Sequence, residues 1–451
     1  MSESKRRARP EQLVEDRLGA RARVYGSEQA VLVAISDGSR DDDELLRELE
    51  SLSDTAGIDV LASVVQNRDR PHPATFIGRG KVDEVKAAST ELDADVVIFN
   101  DELTPAQARN LEEKLGRKVV DRTQLIMDIF AQRAATKEAK LQVELAQSRY
   151  LLPRLRGWGA ALTRIGGGTG GGVGTRGPGE TQLELDRNKI NRRIHALERQ
   201  LRKATSEREV RRKRRDKSDI PEVALVGYTN GGKSTLLNRL SGADAFIEDK
   251  LFATLDTTVR RSEIARGRSV LVVDTVGFIR DLPHHLVPAF AATLEAARHA
   301  DLLLHVIDAS APTMEEDHRA VLETLEHEVF RGSDERPPML NVLNKIDRAP
   351  NGPPSSLDGI GISAKLGSNL DRLRAEIEGI VFDEERSLEL LVPFRSLHAL
   401  APLTAAGRAT VLGYTDEGAR VEATLSEREW NELGRLGARV TADDASPDGG
   451  S

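Results

Sequence analysis

Gly227-Tyr228-Thr229-Asn230-Gly231-Gly232-Lys233-Ser234 fits the spacing G-x-x-x-x-G-K-[ST] without a gap and follows the apolar run Val223 to Val226. A strand that feeds a glycine turn and then a helix aims backbone N–H groups and a helix N-terminus at a polyphosphate, with Lys233 reaching the outer phosphates and Ser234 holding Mg²⁺. The next apolar run, Ser269 to Val273, ends in Asp274-Thr275-Val276-Gly277. In this D-x-x-G form the Asp can hold the hydration shell of Mg²⁺, and the Gly lets the backbone approach a γ-phosphate and swing away once it is gone. A third run, Met339 to Leu343, delivers Asn344-Lys345-Ile346-Asp347, whose carboxylate can accept both the N1–H and the exocyclic amine of guanine. Adenine offers no such donor pair, and sites built on hydrogen bonds of this kind discriminate by roughly 10⁴. Ser363-Ala364-Lys365, after the strand-like Gly359 to Ile362, places backbone N–H groups against the base. The four segments together select GTP and GDP, with relaxed use of ATP left open.

Composition bounds the rest. The chain has 451 residues, 39% of them hydrophobic, with no Cys, nine His and a formal net charge of −8. That length suits about three soluble domains. No apolar run reaches about 18 residues and there is no signal-peptide pattern, so no membrane span is expected. The lack of Cys excludes disulfides and thiolate metal sites and fits a reducing cytoplasm. His284-His285 is adjacent rather than spaced for one helical face, which favours a structural place in a loop over metal or acid–base work.

The charge is unevenly spread. Residues 186–217 carry fourteen Lys or Arg against five acids. Ile190, Ile194, Leu197 and Leu201 recur at i, i+4, i+7 and i+11, so one stripe of this helix packs while the rest projects charge. Upstream, Leu141, Leu145 and Leu152 mark a helix from about Arg122 to Leu152, ended by Pro153. The two helices are expected to pair antiparallel. Residues 157–179 between them contain eleven glycines, a loop that cannot bury a core but can thread a narrow channel. Arg154, Arg156, Arg164 and Arg176 could contact phosphates and Trp158 could stack on a base; the charged helix reads equally as a solvated face or a nucleic-acid arm, and the loop as a contact or a plain linker.

The expected fold class is α/β: a P-loop GTPase domain with an N-terminal α/β domain plus helical hairpin, and a small C-terminal α+β domain. Residues 1–27 form a disordered basic tail, 28–119 the N-terminal α/β domain, 120–218 the hairpin, 219–384 the GTPase domain, 385–440 the C-terminal α+β domain and 441–451 a disordered tail. Gly78-Arg79-Gly80-Lys81 lacks P-loop spacing and reads as a turn that caps a helix. A strand is expected over Leu388 to Phe394, a helix over Leu397 to Ala405, a hairpin around Asp416-Glu417-Gly418, and a last helix near Glu427 to Leu436.

On these residues the chain resembles the HflX family of translational GTPases. The resemblance extends to Asp101-Glu102-Leu103-Thr104-Pro105-Ala106-Gln107-Ala108-Arg109-Asn110-Leu111-Glu112, to Asp121-Arg122-Thr123 through Leu141-Gln142-Val143-Glu144-Leu145-Ala146-Gln147, to Gly174 through Thr181, and to Gly277-Phe278-Ile279-Arg280-Asp281-Leu282-Pro283, covering roughly residues 28 to 384. Gly231 stands where an Ala is usual and Thr257 where a Pro is usual, and the glycine loop is longer than in many relatives; none of these removes a phosphate or metal ligand. Between the first two motifs several threonines compete, and the resemblance selects Thr254 as the switch residue that ligates Mg²⁺ with Ser234 while the γ-phosphate is present. It places Phe252, Ala253, Leu255 and Asp256 with the nucleotide, and Lys233, Thr254 and Gly277 in the catalytic set. Asn230 stands where similar GTPases ligate a monovalent cation, which adds K⁺ to GTP/GDP and Mg²⁺. Phe278 follows Gly277 where Ras-like enzymes carry a water-orienting glutamine, so unaided turnover should be slow. The partner implied is the large (50S) ribosomal subunit with its 23S rRNA, probed near the peptidyl-transferase centre. The function implied is separation of stalled or idle ribosomes under stress by a cytoplasmic, chiefly monomeric protein. The rival readings are an ATP- or GTP-dependent enzyme that remodels rRNA and a nucleotide-gated binding module.

Overall fold

The computed structural model describes residues 12–15, 21–24, 28–36, 38, 42–155, 178–215, 220–243, 250–265, 267–280, 291–332, 336–349, 356–382, 386–425 and 427–441. Backbone contacts divide the chain into two units, one of residues 1–210, 249–255 and 281–289, the other of residues 211–248, 256–280 and 290–451.

In the first unit, β1 (Gln12–Glu15) and β2 (Arg21–Val24) pair antiparallel, so the stretch expected to be disordered contains a two-stranded ribbon. β3 (Gln29–Ser36), α1 (Asp42–Ala56), β4 (Asp59–Asn67), α2 (Arg79–Glu91), β5 (Val96–Phe99), α3 (Pro105–Leu115) and β6 (Lys118–Asp121) follow. The four strands form a parallel sheet in the order β4-β3-β5-β6. Ala30 to Ala34 of β3 are fully buried, as expected of a central parallel strand covered on both faces. α3 has the ends the sequence announces: Thr104 and Gln107 form a capping box, Pro105 opens the helix, and Gly116 closes it at φ 68°. β6 was not foreseen, and it crosses the boundary expected at residue 119.

The single helix expected from Arg122 to Leu152 is instead two, α4 (Arg122–Arg133) and α5 (Lys137–Arg154), and Pro153 lies within the last turn rather than beyond it. Asp121 caps the first through the Gln124 N–H, and Thr136 caps the second through the Ala139 N–H. α6 (Pro178–Arg215) pairs with α5 through buried Leu141, Leu145, Ile194 and Leu197, flanked by Leu152, Ile190 and Leu201. Ion pairs Arg193–Glu144 at 2.6 Å and Arg149–Glu198 at 2.8 Å clasp the pair. Arg154, expected to contact phosphate, is engaged within the protein. It pairs with the buried carboxylate of Asp121 at 3.1 Å, donates to the Leu103 carbonyl at 2.7 Å and lies 3.3 Å over the Tyr150 ring. The glycine loop with Arg156, Trp158, Arg164 and Arg176 falls outside the described residues, as does His284-His285.

The second unit opens with β7 (Glu222–Val226), α7 (Lys233–Ser241), β8 (Thr258–Ala265), β9 (Arg268–Asp274), α8 (Ala291–His299), β10 (Leu302–Asp308), α9 (Met314–Thr324), β11 (Met339–Asn344), β12 (Ile360–Gly361) and α10 (Leu370–Val381). The sheet order is β12-β11-β10-β7-β9-β8, with β8 antiparallel to β9 and the other pairs parallel. The candidate motifs therefore leave the C-terminal ends of parallel strands, where open α/β sheets bind ligands. The C-terminal part is an antiparallel sheet of β13 (Arg386–Pro393), β14 (Ala409–Tyr414), β15 (Gly418–Leu425) and β16 (Arg439–Val440), with α11 (Ala401–Ala405) and α12 (Glu427–Arg435). The helix expected over Leu397 to Ala405 starts as a 3₁₀ turn, Phe394–Leu400, before Ala401–Ala405. Among the described residues no helix is long and apolar enough to cross a membrane.

Candidate functional site

β7 carries the P-loop to the sheet edge as a buried strand, and close approach then dictates the glycines. A Cβ on Gly227, at φ 150°, would stand 2.2 Å from the Val306 carbonyl of β10; one on Gly232, at φ 96°, would stand 2.2 Å from Asn344 Nδ2. Asn230 adopts φ 58°, a left-handed conformation its short polar side chain tolerates. α7 begins at Lys233 with no side chain capping its first turn, so its N–H groups keep the geometry that suits an anion. The Lys233 ammonium donates to the carbonyls of Gly227 at 3.0 Å and Tyr228 at 2.8 Å. Burial pushes its pKa down to about 8, against the pull of Asp274, while Lys345 adds to the depression. Ser234 Oγ donates to Asp274 Oδ2 at 2.6 Å, bringing together two of the sequence-selected residues. Thr275 donates to the Leu225 carbonyl, and Val276 is buried beside it. A Cβ on Gly277 would meet Thr229 Cα at 2.8 Å and Lys233 Nζ at 3.0 Å.

The Asn344–Asp347 and Ser363–Lys365 motifs interlock. Asn344 Nδ2 donates to the Gly231 carbonyl and its Oδ1 accepts the Ala364 N–H, both at 2.9 Å, so one side chain staples the P-loop to the Ser363-Ala364-Lys365 turn. Lys345, at φ 64°, pairs with Asp308 at 2.7 Å, and the Ile346 N–H reaches the Ile362 carbonyl. Asp347 is exposed and accepts from Ser363 Oγ at 2.5 Å. That hydrogen bond holds its carboxyl below the usual range. Arg239 of α7 braces the turn through the carbonyls of Ala364 and Lys365.

Residues 250–255 group with the first unit. Phe252 is buried at φ 52°, edge-on to Phe130 with centroids 4.8 Å apart. The Leu251 N–H donates to Thr55 Oγ1 at 3.2 Å, and Lys250 Nζ reaches the Asp54 carbonyl. Leu255 is buried as well, whereas Ala253, Thr254 and Asp256 are only partly covered. Phe252 and Leu255 thus spend their side chains on packing.

Comparison with known proteins agrees with these motifs. Residues 43–131, 133–215 and 222–345 match the families described as GTP-binding GTPase N-terminal, GTP-binding GTPase Middle Region and 50S ribosome-binding GTPase. The GTPase HflX of Caldanaerobacter subterraneus is 48% identical over 399 residues, 88% of this chain and 91% of that protein. The chain belongs to the HflX GTPase family. The GTPase HflX of Chlamydia pneumoniae is 41% identical over 449 residues, 96% of this chain and 94% of that one, and the GTPase HflX of Escherichia coli 49% identical over 330 residues, 72% and 74%.

As an HflX GTPase the protein binds and hydrolyses GTP. Around its P-loop are residues that sequence reading passed over. His305 of β10 is buried, stacks on His318 of α9 with centroids 4.9 Å apart, and has its pKa pushed down to about 3 by burial and by His318. Both rings line a cavity of about 170 Å³ beside Thr229 and Asn230. A His inside the apolar run Leu302 to Ile307 was the available signal, but its partner lies in another element. Arg280, in the quoted signature, proves to be tied to Tyr228, Glu316 and Asp317.

Proposed function

We propose that this HflX GTPase acts in the cytoplasm as a nucleotide-switched factor that docks on the large ribosomal subunit and separates stalled or idle ribosomes. Phe252 carries this reading: the segment between the P-loop and the D-x-x-G motif is packed into the unit that bears the basic helix, so a change at the nucleotide has a side chain through which to reach the RNA-facing arm. Arg187, Lys189, Arg192, Arg199, Arg202 and Lys203 of that helix are exposed, while its apolar stripe is spent on α5. This is the charge arrangement expected of a 23S rRNA contact.

The geometry supports the following roles for Lys233, Asp347, Ser234 and Asp274, and the family resemblance those of Thr254 and Asn230. Lys233 turns from the P-loop carbonyls to the outer phosphates, and Asp347 reads guanine with the Ser363-Ala364-Lys365 turn behind the base. Ser234 and Asp274 offer two hard oxygen donors 2.6 Å apart, which fits Mg²⁺, the first directly and the second through its water shell. Thr254 adds a ligand while the γ-phosphate is present. The ion supplies positive charge that offsets what develops on the transferred phosphoryl group. Asn230 would hold K⁺ at the P-loop, as the resemblance implies. Phe278 is buried in the core beneath the P-loop and cannot orient water, so hydrolysis waits for the ribosome.

Co-sedimentation with separated subunits, with GDP or a non-hydrolysable GTP analogue, tests this reading together with light scattering of intact ribosomes. Analogue-dependent binding to the large subunit is expected, with turnover accelerated toward the roughly 10³ to 10⁵ that partners give enzymes of this class. ATP turnover on free rRNA with no ribosome separation would replace it by the remodelling enzyme.

A further inference from the structure

The backbone just beyond the D-x-x-G motif is zipped to the P-loop. The Phe278 N–H donates to the Gly227 carbonyl at 3.0 Å, and the Thr229 N–H donates to the Phe278 carbonyl at 2.8 Å. Arg280 closes this zipper. Its own N–H donates to Tyr228 Oη at 3.0 Å, and its guanidinium lies over the Tyr228 ring at 5.9 Å. Nε and Nη2 donate to Asp317 Oδ1 at 3.2 and 2.9 Å, and Nη1 donates to Glu316 Oε2 at 2.7 Å. Thr313 Oγ1 donates to the other Asp317 oxygen at 2.7 Å. Arg280 and Asp317 are 12% and 13% exposed, so solvent screens the pair little. One residue, by its backbone N–H and its guanidinium, thereby ties three elements together: the second residue of the P-loop, the D-x-x-G segment and the first turn of α9.

We propose that Arg280 is a positioning residue for GTP hydrolysis: its fork into Asp317 and Glu316, with the Tyr228 hydroxyl, fixes the backbone that sets Gly277 against Thr229 and Lys233. Arg280 touches no phosphate. It acts through Gly277, and the inference rests on the reading that Gly277 faces the γ-phosphate. Arginine suits the place because its planar guanidinium presents five donors in a fixed fork, whereas a lysine at the same position can hold one carboxylate but not two plus the ring face.

The test uses the full-length chain with the large ribosomal subunit, measuring kcat and KM for GTP hydrolysis, the ratio of affinities for a non-hydrolysable GTP analogue and GDP, and thermal stability. Arg280→Ala should lower kcat by about tenfold to a hundredfold, as loss of sub-ångström placement does. It should also lower the analogue-to-GDP ratio while GDP affinity stays within about twofold. Arg280→Lys should fall between, and Tyr228→Phe, which removes a single acceptor, should have the smallest effect. Asp317→Asn should act in the same direction as Arg280→Ala, and the double variant should be no worse than the poorer single one. Wild-type kcat and analogue preference in Arg280→Ala would overturn the proposal. So would a fall in GDP affinity and melting temperature in step with kcat, which would make the residue merely structural. Asp274→Asn is the separate control: unimpaired hydrolysis there would remove the D-x-x-G reading itself, whatever Arg280 does.

Discussion

If Lys233 meets the nucleotide phosphates, binding should take up a proton. Its ammonium is buried, and its pKa falls from 10.5 to about 8. Phosphates placed against it restore a counter-charge and return the pKa toward its ordinary value. Two protonation curves then bracket the window: above about pH 8 the free protein has shed the proton that the complex keeps. At pH 8.5 much of the free Lys233 should be neutral and almost none in the complex, so binding should take up a sizeable fraction of a proton. Affinity should fall about fourfold between pH 7 and 8.5 and more steeply above. Calorimetry of GDP binding at pH 8.5, in buffers of different ionisation enthalpy, reads the uptake as the slope of apparent enthalpy. This pH lies below the range in which guanine loses its own N1 proton. Lys233→Arg, which stays charged, should show a slope near zero. Uptake indistinguishable from zero in the native protein, with affinity flat from pH 7 to 8.5, would refute the claim that this ammonium meets the phosphates.

Asp347→Asn should weaken GTP binding and admit xanthosine triphosphate, because an amide donates where the carboxylate accepted; an unchanged GTP preference in competition would take Asp347 out of the site. Hydrolysis should run faster in K⁺ than in Na⁺, and Asn230→Ser should erase the difference; equal rates in the two salts for the native protein would exclude the cation. His305 should make the fold acid-sensitive. Its folded pKa of about 3 lies below the ordinary 6.5, so the unfolded chain binds the extra proton and stability drops as pH falls below 6.5, by about 2 kcal/mol at pH 5. His305→Phe should flatten that part of the denaturation profile between pH 7 and 5, and an unchanged profile would show that His305 does not set it. Phe130→Leu should loosen the Phe252 anchor and reduce the stimulation of hydrolysis by large subunits; full stimulation with intact folding would remove Phe252 from the relay.

The nucleotide motifs were legible because each is a short spacing at a strand end, and the structure draws Ser234 to Asp274 and Asn344 to Gly231 and Ala364. α3 was legible for the same reason, with its cap, proline and terminal glycine all within fourteen residues of sequence. The break between α4 and α5 was not. Apolar residues run on from Phe130 through Leu141, and the helix restarts only because Thr136 can cap it, so periodicity carries no mark of the interruption. The pairing of Arg154 was hidden for a different reason. Beside a glycine loop an arginine reads as a phosphate ligand, and its actual partner, Asp121, lies 33 residues away. Only packing reveals that pairing.

The P-loop is held from two sides by side chains that never touch it in sequence. Asn344 fixes Gly231 to the base-reading turn, and Arg280 fixes Tyr228 to the D-x-x-G segment and α9. Both ties lie within the unit of the six-stranded sheet. Leu251 and Phe252 belong to the first unit, where Thr55 and Phe130 hold them. If Thr254 ligates Mg²⁺ as proposed, its recruitment would have to carry that anchored stretch with it or break its packing. Burying a phenylalanine side chain is worth about 1.5 to 3 kcal/mol, comparable with the few kcal/mol by which ligands shift two-state equilibria. On the proposed switch, an anchor of that size would be one the nucleotide could override, as a reversible change requires.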